Sequence, residues 1–411
     1  MSEISRRDLL AGITGVAAAM SVGPVTLPAI APEFPRKADF LIPDGLTYVN
    51  SAYTHPMPKA GVEALRTYAL SRATPTVSLF DTSAAVKRVK TEYAALINAT
   101  PDELAFIPNT STGENLVVRG LGIPGTGGNV VTDALHFDGA ILHLQALQSQ
   151  GLELRIAMPT ADGRIELAEL DRLIDGNTRL VEVSSVAMYN GFEHDLKAVS
   201  DLAHSRGAYV YADVIQGVGA VPFDVRASGV DFAAANGFKW LMGDFGLGFL
   251  YVKAELIERV LKRTTYGYHS SPDIVTHFLP SDSPGAPPFA WEFGTGASAT
   301  YEAGSRAAAS LMVLDASLPY LRRLGVARIQ AWRQPLLQEL RTELEERGFT
   351  PVTPRGTTSP ILSFTFPAER PVAERLRQAR INARVGDRYL RVSPSVFNDE
   401  ADVHRVIEAL S

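Results

Sequence analysis

Within Asn236-Gly237-Phe238-Lys239-Trp240 a lysine stands between two aromatic residues, just ahead of Gly243, Gly246 and Gly248. Upstream, the apolar run Tyr209-Val210-Tyr211-Ala212 ends at Asp213, with Gln216 three residues further on. An amine and a carboxylate, each at the end of a buried strand, are the two protein groups that pyridoxal 5'-phosphate chemistry needs. The amine bonds the aldehyde covalently, and the carboxylate keeps a proton on the pyridine nitrogen so that the ring can draw electrons. The stretch from Phe232 to Leu250 is apolar apart from Asn236 and Asp244, so a lysine there needs a partner or a covalent role, because burial disfavours its charge.

Such groups need a frame, and the chain supplies an alternation of strand and helix. Thr47-Tyr48-Val49-Asn50 reads as a short strand and Pro58 to Leu70 as a helix. From about Ala94 to Val252 the pattern is βα. Strands are expected at Asn129 to Thr132, Leu154 to Ala157, Leu180 to Val183, Tyr209 to Ala212, Phe232 to Ala235 and Phe249 to Val252, with helices at Asp138 to Gln150 and Asp195 to Arg206. Short apolar runs between amphipathic helices predict an α/β fold with a mostly parallel sheet covered on both faces. Ligands of such sheets bind beyond the carboxyl ends of the strands, where Ser185, Asp213 and Asn236 fall. Tyr266 to Phe293 is rich in Pro, Ser and Asp and reads as a long loop. Ala299 to Arg347 is helix-rich. Strands at Ile361 to Phe366, Ala383 to Val385 and Tyr389 to Val392, with helices at Pro371 to Gln378 and Asp399 to Leu410, make a small α+β domain.

The 411 residues carry a net charge of −6 and are 46% hydrophobic, enough for a large core. That charge, without long basic runs, speaks against nucleic acid as a partner. Cysteine is absent, which removes disulfides, cysteine-ligated metals and any thiol nucleophile of the chain itself. The eight histidines show no pair at helical ligand spacing beside carboxylates, so no metal site is expected.

The N-terminus reads as an address. Ser5-Arg6-Arg7-Asp8-Leu9-Leu10 precedes a small, apolar stretch from Ala11 to Val22, and Ala29-Ile30-Ala31 offers a cleavage site before Pro32. The layout resembles a twin-arginine signal, although the usual lysine after the arginines is missing. It implies the twin-arginine export machinery as a partner, a periplasmic location and no stable membrane anchor.

The stretch YVYADVIQGVGAVPFDVRASGVDFAAANGFKWLMGDFGLGFLYV resembles the class V aminotransferase family of fold-type I pyridoxal phosphate enzymes. Its members include cysteine desulfurases, selenocysteine lyases, kynureninases and isopenicillin-N-epimerase-like proteins. The resemblance extends from YVNSAYTHPMP to YLRVSPSVFNDEADVHRVIEAL. It implies a large domain with a seven-stranded-type sheet and a small C-terminal α+β domain. The expected division is 1–31 signal, 32–65 a segment packing with the small domain, 66–298 the cofactor domain, and 299–411 the linking helix and small domain.

By this resemblance Lys239 is the Schiff-base lysine, Asp213 the pyridinium partner, and Gln216 a contact near the cofactor's phenolic oxygen. NTSTGENLVVRGL matches the family's phosphate loop, with Thr110 and Ser111 as phosphate contacts at the opening of a helix from Gly113 to Leu121. In TDALHFDGA, His136 falls where the family stacks a histidine on the cofactor ring, with Phe137 as the rival. Thr295, in WEFGTGASA, matches a residue that reaches the neighbouring subunit's phosphate, which implies a homodimer with shared active sites. Arg391, in LRVSPSVFN, matches the clamp for a substrate carboxylate. Arg384 is a second candidate, and Asn50 joins them as a substrate contact.

The chain also departs from the family pattern. The usual Ser-x-His-Lys is Asn236-Gly237-Phe238-Lys239, so a phosphate ligand becomes an amide, and Ser185 replaces a frequent asparagine. The segment between Arg384 and Arg391 holds no cysteine, and a desulfurase of this family needs that thiolate to accept sulfur, so cysteine desulfurase activity is excluded. The function expected is therefore an aminotransferase or related deaminating enzyme acting in the periplasm on a small amino-group substrate, a peptide or a secondary metabolite. A β-lyase of the selenocysteine lyase or kynureninase type, and an epimerase, are the alternatives.

Overall fold

The computed structural model describes residues 33–74, 82–271 and 292–411. The expected signal, residues 1–31, and most of the expected loop from Tyr266 to Phe293 lie outside them. Strand β1 (Thr47–Tyr48) opens the described chain. Seven strands then build the main sheet: β2 (Leu104–Ile107), β3 (Asn129–Asp133), β4 (Glu153–Ala157), β5 (Thr178–Ser184), β6 (Tyr209–Asp213), β7 (Phe232–Asn236) and β8 (Gly248–Val252). Their order is β2-β8-β7-β6-β5-β3-β4. Strand β8 runs antiparallel to both neighbours, and the remaining pairs are parallel. The expected mostly parallel α/β sheet is therefore present, with seven strands.

Each side chain's face follows from the two-residue period of a strand. Val181, Val183, Val210, Ala212, Ala233, Ala235 and Phe249 pack into one core layer. Leu180, Tyr211, Phe232, Ala234 and Leu250 pack into the other. In register, Ser184 lies opposite Asp213 and Glu182 opposite Tyr211. Four residues able to hydrogen-bond therefore share the second face, along two central strands.

Three elements depart from the sequence reading. Strand β2 consists of four buried residues squeezed between Glu103 and Pro108, too short for the alternation to announce. The helix Ser83–Ile97 was not foreseen either; it packs with Lys59–Ala73 against Ala308–Leu324. The helix after Asn109 starts at Thr110 rather than Gly113, because the Asn109 side chain caps it by accepting from the Thr112 N–H.

The C-terminal part holds a four-stranded antiparallel sheet, β12-β13-β10-β9. Its strands are β9 (Thr350–Pro351), β10 (Leu362–Thr365), β12 (Arg384–Val385) and β13 (Tyr389–Val392), while β11 (Ile381–Asn382) pairs in parallel with β1. Two long helices, Ala308–Leu324 and Val326–Glu346, lead into it, separated at Gly325 by a positive φ of 80°. Among the described residues no helix is long and apolar enough to cross a membrane.

Candidate active site

The carboxyl ends of the parallel strands converge on one edge of the sheet. Asp213 ends β6, Asn236 ends β7, Ser184 ends β5 with Ser185 next in the chain, and His136 follows β3 by three residues. The Ser185 N–H donates to the Asp213 carbonyl at 2.8 Å, which fixes the two strand ends together.

Lys239 lies in the turn after β7. Gly237 lets that turn close, since a Cβ there would lie 2.9 Å from the Leu247 carbonyl oxygen. The Gly243 N–H then donates to the Gly237 carbonyl at 2.8 Å and the Met242 N–H to that of Lys239, also at 2.8 Å. Phe238 stacks on Phe245 with ring centres 4.1 Å apart. Burial lowers the Lys239 amine to a pKa of about 8; Asp213 opposes that shift and Arg391 adds to it. The amine therefore sits within the electrostatic reach of an anion on one side and a cation on the other.

Asp213 is buried, and burial raises its carboxyl above the ordinary range. The Ile215 N–H, donating to Oδ1 at 2.9 Å, pulls the other way, as do His136 and Lys239. A carboxylate held like this, with one backbone donor, suits a cationic N–H partner such as a protonated pyridine.

The phosphate end has matching features. Thr110 and Ser111 occupy the first two positions of their helix, so their N–H groups have no acceptor within it. Asn236 donates from Nδ2 to the Pro108 carbonyl at 3.1 Å, tying the lysine strand to this turn, and its Oδ1 has no partner. Ser185 Oγ, His136 Nε2, Arg391 Nε and Asn50 Oδ1 are likewise buried without partners. Buried polar atoms left unpaired cost free energy, so those of Asn236, Ser185 and His136, at or just past the strand ends, fit a polar group held there. These residues fit pyridoxal phosphate.

Three expected contacts look different in place. Gln216 is buried, but its Nε2 donates to the Ala52 carbonyl at 3.0 Å and its Oε1 accepts from Trp240 Nε1 at 3.0 Å. One N–H and one lone pair remain for anything else. His136 receives or donates through Nδ1 at Ser184 Oγ, 2.8 Å away, whereas the ring of rival Phe137 lies over Gly139. Thr295 is exposed at the N-cap of Gly296–Tyr301 and makes no side-chain cap bond.

Two of the residues expected to meet substrate, Arg391 and Arg384, lie on the C-terminal sheet. Arg391 is buried on β13 and donates from Nη1 to the Met188 carbonyl at 2.9 Å. Arg384 lies opposite it in register on β12 but is exposed. Asn50 Nδ2 donates to Asn382 Oδ1 at 3.1 Å.

Several residues escape a reading by motif. His55, fully buried, hydrogen-bonds Ser395 Oγ at 2.7 Å and is kept neutral by burial, with a pKa near 4, while its backbone N–H donates to Phe238. Glu182 stands in the apolar run of β5, and Glu114 and His143 meet on helices beside it. Glu182 has no hydrogen-bond partner for either oxygen. A carboxylate within Leu180-Val181-Glu182-Val183 was the signal that could have marked it.

Comparison with known proteins agrees with this geometry. The family model described as aminotransferase class-V matches residues 47–406. A cysteine desulfurase of Dickeya dadantii is 31% identical over 338 residues, covering 79% of this chain and 78% of that protein. A probable cysteine desulfurase of Methanothermobacter thermautotrophicus is 29% identical, covering 71% of each. Among solved structures, the apo cysteine desulfurase of Thermococcus onnurineus superposes with a TM-score of 0.79 at 22% identity, over 92% of this chain and 98% of that one. The cystine C–S lyase C-DES, in complex with its product cysteine persulfide, superposes with a TM-score of 0.77 at 20% identity, over 92% and 99%.

These relatives overturn the expectation of an aminotransferase with desulfurase chemistry excluded. That exclusion took the missing thiol as decisive. A thiol accepts sulfur after it leaves the substrate, whereas the residues that break the bond are a separate set, and the loss of the acceptor does not remove them.

Proposed function

The chain belongs to the class V aminotransferase family of pyridoxal phosphate enzymes, and from that premise we propose that it is a carbon–sulfur β-lyase acting on cysteine or a cysteine-like amino acid. The observation that carries the proposal is the placement of buried Lys239 in the turn after β7, within electrostatic reach of both Asp213 at the end of β6 and Arg391 on β13. The names of the relatives supply the sulfur.

When bound, pyridoxal phosphate supplies an electron sink at the substrate's α-carbon. Arg391 holds the α-carboxylate through its unpaired Nε edge, with exposed Arg384 adding charge from the neighbouring strand. Lys239 takes the proton from the α-carbon and, as the ammonium, stands ready to protonate the departing sulfur. With the cofactor bound, Asp213 would hold a proton on the pyridine nitrogen, Thr110, Ser111 and Asn236 would hold the phosphate, and Ser185 and His136 would lie beside the ring. Because the chain has no cysteine, the sulfur leaves to solution or to a thiol brought by another molecule. The redox-neutral route needs no acceptor: cysteine and water give pyruvate, ammonia and hydrogen sulfide.

A panel of cysteine, cystine, selenocysteine, aspartate and alanine tests this. Pyruvate or alanine should form from the sulfur- and selenium-bearing members alone. Conversion of aspartate or alanine with accumulation of aminated cofactor would sink the proposal.

Two further readings belong here. The reading of export to the periplasm rests on residues 5–31 alone, and its test is whether Arg6→Lys with Arg7→Lys keeps the protein in the cytoplasm. The homodimer rests on the exposed Thr295 and the family pattern. Mixing Lys239→Ala with Thr295→Ala protomers should restore part of the activity if sites are shared; no recovery in mixed dimers would oppose it.

A further inference from the structure

Beneath the strand ends lies a buried cluster of which the proposed reaction uses His136 alone, as a neighbour of the cofactor ring. Glu114 comes from the helix Thr110–Gly120, Glu182 from β5, and His136 from the turn after β3. Each offers a ligand atom within 4.8 Å of the other two, and all three residues are buried.

Their outer contacts are arranged as those of metal ligands are. His136 is held through Nδ1 by Ser184 Oγ at 2.8 Å, which leaves Nε2 as its open nitrogen, buried and unpartnered. Glu114 Oε1 is held by His143 Nδ1 at 2.6 Å. Both carboxylate oxygens of Glu182, a residue with 0% exposure, have no partner. Metal-binding imidazoles and carboxylates are commonly fixed in this way by an outer set of hydrogen bonds.

We propose that Glu114, Glu182 and His136 form a binding site for a divalent cation of the zinc or manganese type. Two oxygens and one nitrogen suit such ions, and a fourth position stays open for water. Ligand atoms around a four-coordinate ion with bonds of about 2.0–2.2 Å lie roughly 3.4 Å apart. The site lies near the chemistry: Glu114 and His136 both act electrostatically on Asp213. The ion is thus placed to offset the Glu114 charge, which otherwise opposes ionisation of Asp213.

The test uses the full chain, loaded with pyridoxal phosphate and produced in medium supplemented with zinc or manganese. After dialysis against a weak chelator, metal is counted by plasma mass spectrometry. About one equivalent per chain is expected in the wild type. Glu182→Gln and Glu114→Gln should each retain less than a tenth of that while keeping the visible absorbance of bound cofactor, which reports a folded site. A wild type free of metal would overturn the proposal and leave the cluster as two carboxyl groups sharing a proton. Equal metal in wild type and in either folded variant would also overturn it, by placing the ion elsewhere. The count does not depend on turnover, so it stands or falls separately from the lyase reaction.

Discussion

Replacing Arg391 with glutamine removes the buried guanidinium proposed to clamp the substrate carboxylate while keeping a donor for the Met188 carbonyl. In the native chain Nη1 is spent on that carbonyl, at 2.9 Å, and Nε has no partner. The carboxylate therefore gains a charge-assisted, side-on pair in a largely buried setting. Truncating one member of such a pair costs about 2–4 kcal/mol, or roughly 30- to 1,000-fold in kcat/KM. The effect should fall mainly on KM. The assay is sulfide release from cysteine compared with release from its carboxamide. On the wild type the carboxamide should lose a similar factor, and on Arg391→Gln the two substrates should differ little, as a double-mutant cycle requires for partners in contact. A change below about threefold, or full additivity of the two perturbations, would refute the clamp.

Other predictions follow from the same geometry. Uptake of pyridoxal phosphate by apoprotein needs the free Lys239 amine, which burial makes available above about pH 8 rather than 10.5. The uptake rate should therefore rise with pH and level off past 8, and Arg391→Gln should move the midpoint upward by removing a cation that favours the neutral amine. A wild-type midpoint near the ordinary lysine value would contradict the environment described. Lys90 bonds Glu302 at 2.7 Å and the Leu104 carbonyl at 2.8 Å, both buried, so Lys90→Ala should cost about 3–5 kcal/mol in urea unfolding. The exposed Arg88, paired with Asp315 at 2.6 Å, should cost under about 1 kcal/mol when replaced by alanine. Similar losses for the two would show that burial does not govern these pairs.

Much of the site could be read in the sequence because its residues lie at the ends of apolar runs. The position of Asp213, Asn236 and Ser185 at or just past strand ends could be read from the short apolar runs that precede them. Tyr389 to Val392 was delimited to the residue, and with it Arg391. What could not be read depends on contacts between elements distant in sequence. Gln216 looks free along the chain, but Trp240 and Ala52 occupy most of its amide. Glu114, Glu182 and His136 are separated by 22 residues or more and meet only when a helix packs on the sheet face that Tyr211 and Asp213 share. Strand β2 is hidden because Pro108 leaves it four residues long. The reaction was misjudged for a different reason: the cysteine that a sequence lacks is visible, whereas the bond that a pocket cleaves is not.

The most direct test of the account is the balance of products from cysteine. With the wild type saturated in pyridoxal phosphate and no keto acid added, sulfur and three-carbon product should appear one for one over many turnovers. The sulfur would be counted as sulfide or as persulfide on an added thiol, and neither product should form with Lys239→Ala. A single burst of aminated cofactor with no sulfur released would contradict the carbon–sulfur lyase.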